Sequence, residues 1–273
     1  MISAQATISR FRRDLTIGAV VRGLLFLAVL GSLTLGPVLG PEFNGALVLV
    51  AIGLLWMVLG YRSLKGSRLA ADSPVLIASG RFDEAETRIH AALRSFSVFK
   101  AGKLLSLHQL AVLRHAQRRW QESALLSRAL LGQRLGALRG LSKPSMLLLA
   151  DDLLHMGDLA GAHESISRLY QHRLSLAEAL ALQELQLEYL ARIGAWDQML
   201  GQTKSRVQLA ELMPPTHAAR TQALLALAAR KTGRENLAQW LARRANLVGD
   251  ARAIVAERPF LAELWPELKL GSI

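Results

Sequence analysis

Two apolar stretches, 23–40 and 43–61, lie back to back near the start of this chain, and everything after them has a soluble character. Each is close to the ~20 residues that a helix needs to cross ~30 Å of hydrocarbon. Little separates them beyond Gly40, Pro41 and Glu42, with Pro37 just before and Asn44 and Gly45 just after. So tight a break predicts a helical hairpin that dips through a bilayer and returns. Whatever the rest of the chain does, it is expected to do at a membrane surface.

The flanks predict the orientation. Arg10, Arg12, Arg13 and Arg22 precede or open the first stretch, and Arg62, Lys65 and Arg68 follow the second. The connecting turn carries Glu42 and no Lys or Arg. Lys and Arg are retained on the cytoplasmic side during insertion, so both termini are expected in the cytoplasm. Trp56 and Tyr61 suit the aromatic belt at the interface, and Arg22 is near enough to water to snorkel. A cleaved signal peptide fits poorly, because the apolar run is long and a second follows at once. The expected parts are a basic N-terminal tail (1–22), the hairpin (23–61) and a basic linker (62–71), then a helical region (72–249) and a C-terminal cap (250–273).

The remaining ~205 residues are enough for one well-cored domain or a short solenoid. The absence of cysteine excludes disulfides, thiolate zinc sites, iron–sulfur clusters and thiol catalysis together. The net charge of +12 is uneven: the first 68 residues hold seven basic and two acidic side chains. Part of the high pI is therefore a topology signal and does not by itself point to nucleic acid.

Beyond residue 69 no stretch alternates apolar and polar residues for long, and Leu and Ala dominate over Val, Ile and Thr. Apolar positions return every three to four residues in 147–154, 180–193 and 223–229, as buried helix faces do. Turn residues punctuate them rhythmically. Gly157, Gly194 and Gly233 are 37–39 residues apart, Gly80 lies two such periods earlier, and the missing beat falls near Arg118. A fixed period of this size marks a helical repeat array. Two residues past the beats stand Phe82, Trp120, Leu159 and Trp196. Three further come Ala85, Ser123, Ala162, Met199 and Ala238, and seven before the beat Ala111, Ala150 and Ala226 recur.

This pattern resembles the tetratricopeptide (TPR) repeat. In that family a small residue lets helix A approach helix B, a Gly turns the chain, an aromatic follows and an Ala permits close packing. Residues 80–85 (GRFDEA) and 157–162 (GDLAGA) carry the likeness best. It implies an all-α chain in which about five helix pairs form a TPR-like α-solenoid over 72–249. Short helices broken by Pro259 and Pro266 would close the far end, while Asp72, Ser73 and Pro74 would start the first repeat. The order of parts is similar to bacterial inner-membrane proteins of the HemY type, which implies an inner-membrane location and carries no activity over.

No catalytic constellation is evident. HExxH, P-loop, GxSxG and dinucleotide fingerprints are absent, and the seven histidines read as polar residues of helix surfaces. Asp151 and Asp152 are adjacent, so on a helix they point ~100° apart and read as a cap or a solvated face rather than an acid–base pair. No metal, cofactor or catalytic residue is assigned, and an enzyme is the remote alternative. Charge is more informative. From Arg94 to Ser145 ten Lys or Arg face Glu122 alone, whereas 151–213 holds nine acidic and five basic residues. Arg114, Arg118, Arg119, Arg128, Arg134, Arg139 and Lys143 are thus candidate contacts for anionic headgroups, each worth ~1 kcal/mol near the surface. Interleaved aromatics for base stacking are missing, which argues against nucleic acid. The leading expectation is a membrane-anchored scaffold or adaptor gripping a protein or peptide partner in the groove lined by successive A helices. A lipid-surface or regulatory module acting through the basic second repeat is the alternative.

Overall fold

The computed structural model describes residues 3–35 and 45–266. The expected turn at Gly40, Pro41 and Glu42 lies outside the described residues. Every regular element among those described is helical. Helix α1 (Ala4–Leu35) and helix α2 (Gly45–Arg68) come first, and both are long and apolar enough to cross a membrane. Almost none of that apolar surface is covered by protein: Leu24, Phe26, Leu33, Val50, Leu54 and Met57 are all exposed. Exposed apolar area on this scale signals a partner phase or surface.

Both helices outrun their apolar stretches. The residues expected as a basic tail form the first half of α1, where Ala4, Thr7 and Phe11 recur at helical spacing and are buried. Arg10, Arg12 and Arg13 are exposed. The first part of the expected linker, through Arg68, is the end of α2.

Helices then follow in pairs: α3 (Ser73–Ala78) with α4 (Phe82–Arg94), α5 (Lys100–Ala116) with α6 (Trp120–Leu131), and α7 (Ser142–Met156) with α8 (Leu159–Leu169). Next comes α9 (Leu176–Arg192), followed by α10 (Trp196–Leu200) and α11 (Thr203–Ala210). The last pair is α12 (Pro215–Lys231) with α13 (Glu235–Val248). A 3₁₀ segment, Gly136–Leu141, precedes α7, while α14 (Ala251–Glu257) and a 3₁₀ turn, Pro259–Leu264, end the description. The chain divides into two compact units, Met1–Leu148 and Leu149–Ile273.

The beats in the sequence are the turns within these pairs. Gly80, Gly157, Gly194 and Gly233 have φ between 73° and 77°, and Arg118 has φ 59°. Each sits at the position after the helix cap in a Schellman turn, where a left-handed residue lets the next N–H reach back into the last turn. Thus Arg81 N–H donates to Leu76 C=O, Arg119 to Arg114, Asp158 to Leu153, Ala195 to Leu190 and Arg234 to Ala229, all at 2.8–2.9 Å. The second helix of every pair starts two residues past the beat, at Phe82, Trp120, Leu159, Trp196 and Glu235.

The small residues of the repeat pattern are buried. Ala85, Ala111, Ser123, Ala150, Ala162, Ala226 and Ala238 are at most 1% exposed. In the second pair the Ser123 hydroxyl donates to the Ala111 carbonyl at 2.9 Å, a direct contact between the two crossing positions. Phe82, Trp120 and Trp196 are half-buried at the starts of their helices. The fourth pair departs from the pattern: its second helix breaks at Gly201 and Gln202. Arg206 donates to the freed carbonyls of Gln198 and Met199 at 3.1 and 2.6 Å. At the start of the array Pro74 lies in the first turn of α3 as expected. Asp72, expected to cap that helix, makes no side-chain cap bond and pairs with Arg88 of α4 at 2.8 Å.

Three substitutions test this account. A non-glycine residue at positive φ costs ~1–2 kcal/mol. Arg118→Gly should therefore raise the denaturation midpoint, and Gly157→Ala should lower it. Ala162→Leu should overpack its crossing and cost ~1–3 kcal/mol, read by thermal or urea unfolding.

Candidate interaction surfaces

In the first unit the basic run does not form one surface. Arg114, expected to contact headgroups, is 1% exposed and lies inside: its guanidinium donates to both oxygens of Glu86 at 2.7 and 2.8 Å and to Gln117 at 2.7 Å. Burial and full pairing withdraw it from any headgroup. Lys103 is likewise buried, donating to the Leu93 carbonyl and to Asp14 of α1 at 3.0 Å. Of the other candidates, Arg118, Arg128, Arg134 and Arg139 are exposed, while Arg119 and Lys143 are half-buried and Arg119 pairs with Glu122. The candidates are therefore divided between the interior and the surface.

The Arg114 pairing also fixes the chemistry around it. Its hydrogen bonds hold the Glu86 carboxyl at about 2, down from 4.5. Burial pushes the neighbouring His90 down, against the pull of Glu86, and pushes His108 down where its ring meets the Ser145 hydroxyl at 2.9 Å. These two histidines belong to packed helix interfaces rather than to the solvated surface on which the sequence placed them.

In the second unit charged residues from four helices converge. Glu184 and Glu188 lie one turn apart on α9, Asp151 and His155 one turn apart on α7, and His217 and Arg220 together on α12. Into their midst α14 and the residue after it bring Glu257 and Arg258. Arg258, 2% exposed, donates to Glu188 at 2.6 Å and to Asp151 at 2.7 Å and lies against the His155 ring. Glu188 also accepts from Arg192 at 2.8 Å. Glu184 accepts from Arg220 at 2.7 Å and meets His217 Nδ1 at 2.6 Å, and Arg220 also pairs with Glu257. The Glu184 hydrogen bond raises the His217 pKa above 6.5, outweighing burial.

Asp151 and Asp152 are accordingly not a solvated pair. Asp152 is fully buried and Asp151 is an acceptor for Arg258. Only the i, i+4 spacing of Glu184, Glu188 and Arg192 signalled this cluster in the sequence. Arg258 itself, from a segment read as a cap, carried no sign of its role. The same segment seats Leu261, Leu264 and Trp265 in the core with Leu187, Leu190, Ala223 and Ala226, while Phe260 lies under the Arg192 guanidinium. In this unit, then, the A-helix face expected to be an open groove carries the chain's own residues 250–265.

A third surface is apolar. Between α1 and α2 runs a cleft lined by Leu25, Phe26, Val29, Leu49, Ile52 and Trp56, with Arg22 as its one charged member. Its chemistry suits acyl chains. Among the described residues no group of three or more His, Asp or Glu could hold a metal ion. No protein-family model matches the chain, and neither does any curated protein or solved structure.

The Glu86 carboxyl predicts an acid limb. Its pKa is depressed on folding, so the unfolded chain binds the extra proton between pH 4.5 and 2, and stability is lost as pH falls through that window. Glu86→Gln should flatten this part of the stability–pH curve, measured by denaturant midpoints of the full chain at each pH.

Proposed function

We propose that the chain is a membrane-anchored helical-repeat scaffold whose TPR-like pairs hold a protein or peptide segment at the cytoplasmic surface. One observation carries the reading. Two span-length helices with exposed apolar sides lead into five helix pairs, each closed by the same left-handed turn at a period of 37–39 residues. Arrays of this kind present long binding surfaces rather than single catalytic pockets. The Lys and Arg flanks orient the anchor with both termini inside the cell, which fits a bacterial inner membrane.

The second unit supports the partner's chemistry. Its inner face already accommodates a peptide-like segment with an arginine between carboxylates and leucines in the core. A partner segment combining a guanidinium with apolar side chains would take this face by displacing residues 257–265, because Glu184 and Glu188 need a charged mate there. The lipid-surface alternative loses Arg114 to the interior and keeps the exposed arginines of the first unit.

A photoreactive residue in place of Ala181, on the Glu184 and Glu188 face of α9, should give a discrete protein adduct in native membranes. Adducts with lipid alone, or none, would count against the scaffold. A reporter fused after Ile273 should behave as cytoplasmic; a reporter active only outside the membrane would reverse the orientation.

A further inference from the structure

The connection between α4 and α5, residues 95–99 (SFSVF), meets both apolar helices over one stretch of their length, which on α2 runs ~15 Å from Gly66 to Trp56. Val98 N–H donates to the Ser63 hydroxyl of α2 at 2.9 Å. The Phe99 ring packs edge-on to Trp56 with centroids 6.3 Å apart and also touches Gly60. On α1, Gly18 comes so close that a Cβ there would lie 3.2 Å from the Ser97 carbonyl, and a Cβ at Gly66 would collide with Ser95. Two glycines, Gly18 on α1 and Gly66 on α2, therefore admit this loop against the helices.

That stretch is where the helices change from charged to apolar. Trp56 lies six residues before Arg62, the first charge after the apolar stretch, or ~9 Å along the axis at 1.5 Å per residue. Gly18 lies midway between Asp14 and Arg22. The loop exposes Phe99 (37%) at the Trp56 end and Phe96 (42%) beside Ser95, toward the Gly66 end, flanked by exposed Arg94 and half-buried Lys100. Aromatics beside cations on a surface continuous with spanning helices suit the headgroup boundary. Several of the loop's polar groups are also bonded within the protein. Ser95 N–H is bonded to Ala91, the Ser95 hydroxyl to Ala92, and the Ser97 hydroxyl to the Phe99 carbonyl.

We propose that residues 95–99 form a third membrane contact. Phe99 enters the cytoplasmic leaflet at the depth of Trp56, Phe96 lies nearer the headgroups, and Arg94 and Lys100 meet lipid phosphates. The inference rests on the reading that α1 and α2 cross the bilayer. It turns the anchor from a tether into a seat, because a unit held by two helices and a loop cannot swivel about the membrane exit.

The lack of cysteine makes the test clean. Single variants Phe96→Cys, Leu54→Cys in the exposed apolar part of α2 and Gln121→Cys on the exposed side of α6 would each carry an environment-sensitive fluorophore. The full chain would be reconstituted in vesicles of mixed zwitterionic and anionic phospholipid. The label at 96 should be blue-shifted relative to 121, quenched by a nitroxide carried on lipid near the headgroup, and shielded from aqueous iodide. The label at 54 should be quenched by a deep acyl-chain nitroxide and that at 121 by iodide alone. A water-like label at 96 with a lipid-like label at 54 overturns the loop contact and leaves the spanning helices standing. A water-like label at 54 overturns both. Should Phe96→Cys lose helicity, Lys100→Cys asks the same question against the same controls.

Discussion

Each pair in this protein depends on stopping a helix within one residue and starting its partner two residues later. A left-handed residue after the cap does this, and the N–H that then reaches back to the last turn sets the angle at which the chain leaves. With that angle fixed, the residue seven before the turn faces the residue five after it. Small side chains occupy both places at Ala111 and Ser123, Ala150 and Ala162, and Ala226 and Ala238. In the fourth pair Leu187 and Met199 stand there instead. That is also the pair whose second helix breaks, and Arg206 satisfies the carbonyls the break sets free. Crossing size and helix continuity thus vary together.

Local periodicity was legible for a physical reason: turn geometry and crossing distance are set by residues within about a dozen positions of each other. Even Arg118 could be placed as a turn without glycine, because the beats on either side required one. Long-range pairing was not legible. Nothing near Lys103 announces that Asp14, 89 positions earlier, accepts its proton, and Arg258 finds Asp151 from 107 positions away. The docking of α1 was hidden for another reason. Its apolar half reads so strongly as a span that the sparser Ala4, Thr7 and Phe11 face before it read as tail.

That docking changes what the anchor is. The first half of α1 packs in the core with Ala85, Ile89 and Leu104, and the same helix continues into the exposed apolar stretch. No flexible segment intervenes between the packed core and the apolar surface. Motion of the apolar stretch is therefore transmitted to the first unit through continuous helix, and a substitution such as one at Asp14 or Phe11 acts on the apolar helix and the folded core together.

Charge follows a related logic. Each one-sided run is tied to the interior by opposite charges from outside it. Within the basic stretch the buried Lys103 and Arg114 are held by Asp14 and Glu86; within the acidic stretch the buried Glu184 and Glu188 are held by Arg220 and Arg258. A buried charge without a mate costs several kcal/mol, so in a run of like charges the mate must arrive from another helix. Removing one of these few counter-charges leaves an unpaired ion inside, whereas removing one of the many exposed like charges removes only a solvated group. The charges that matter to the fold are therefore the few buried members of each stretch and the distant mates that hold them, while the exposed members are left at the surface, where a partner or a lipid headgroup can meet them.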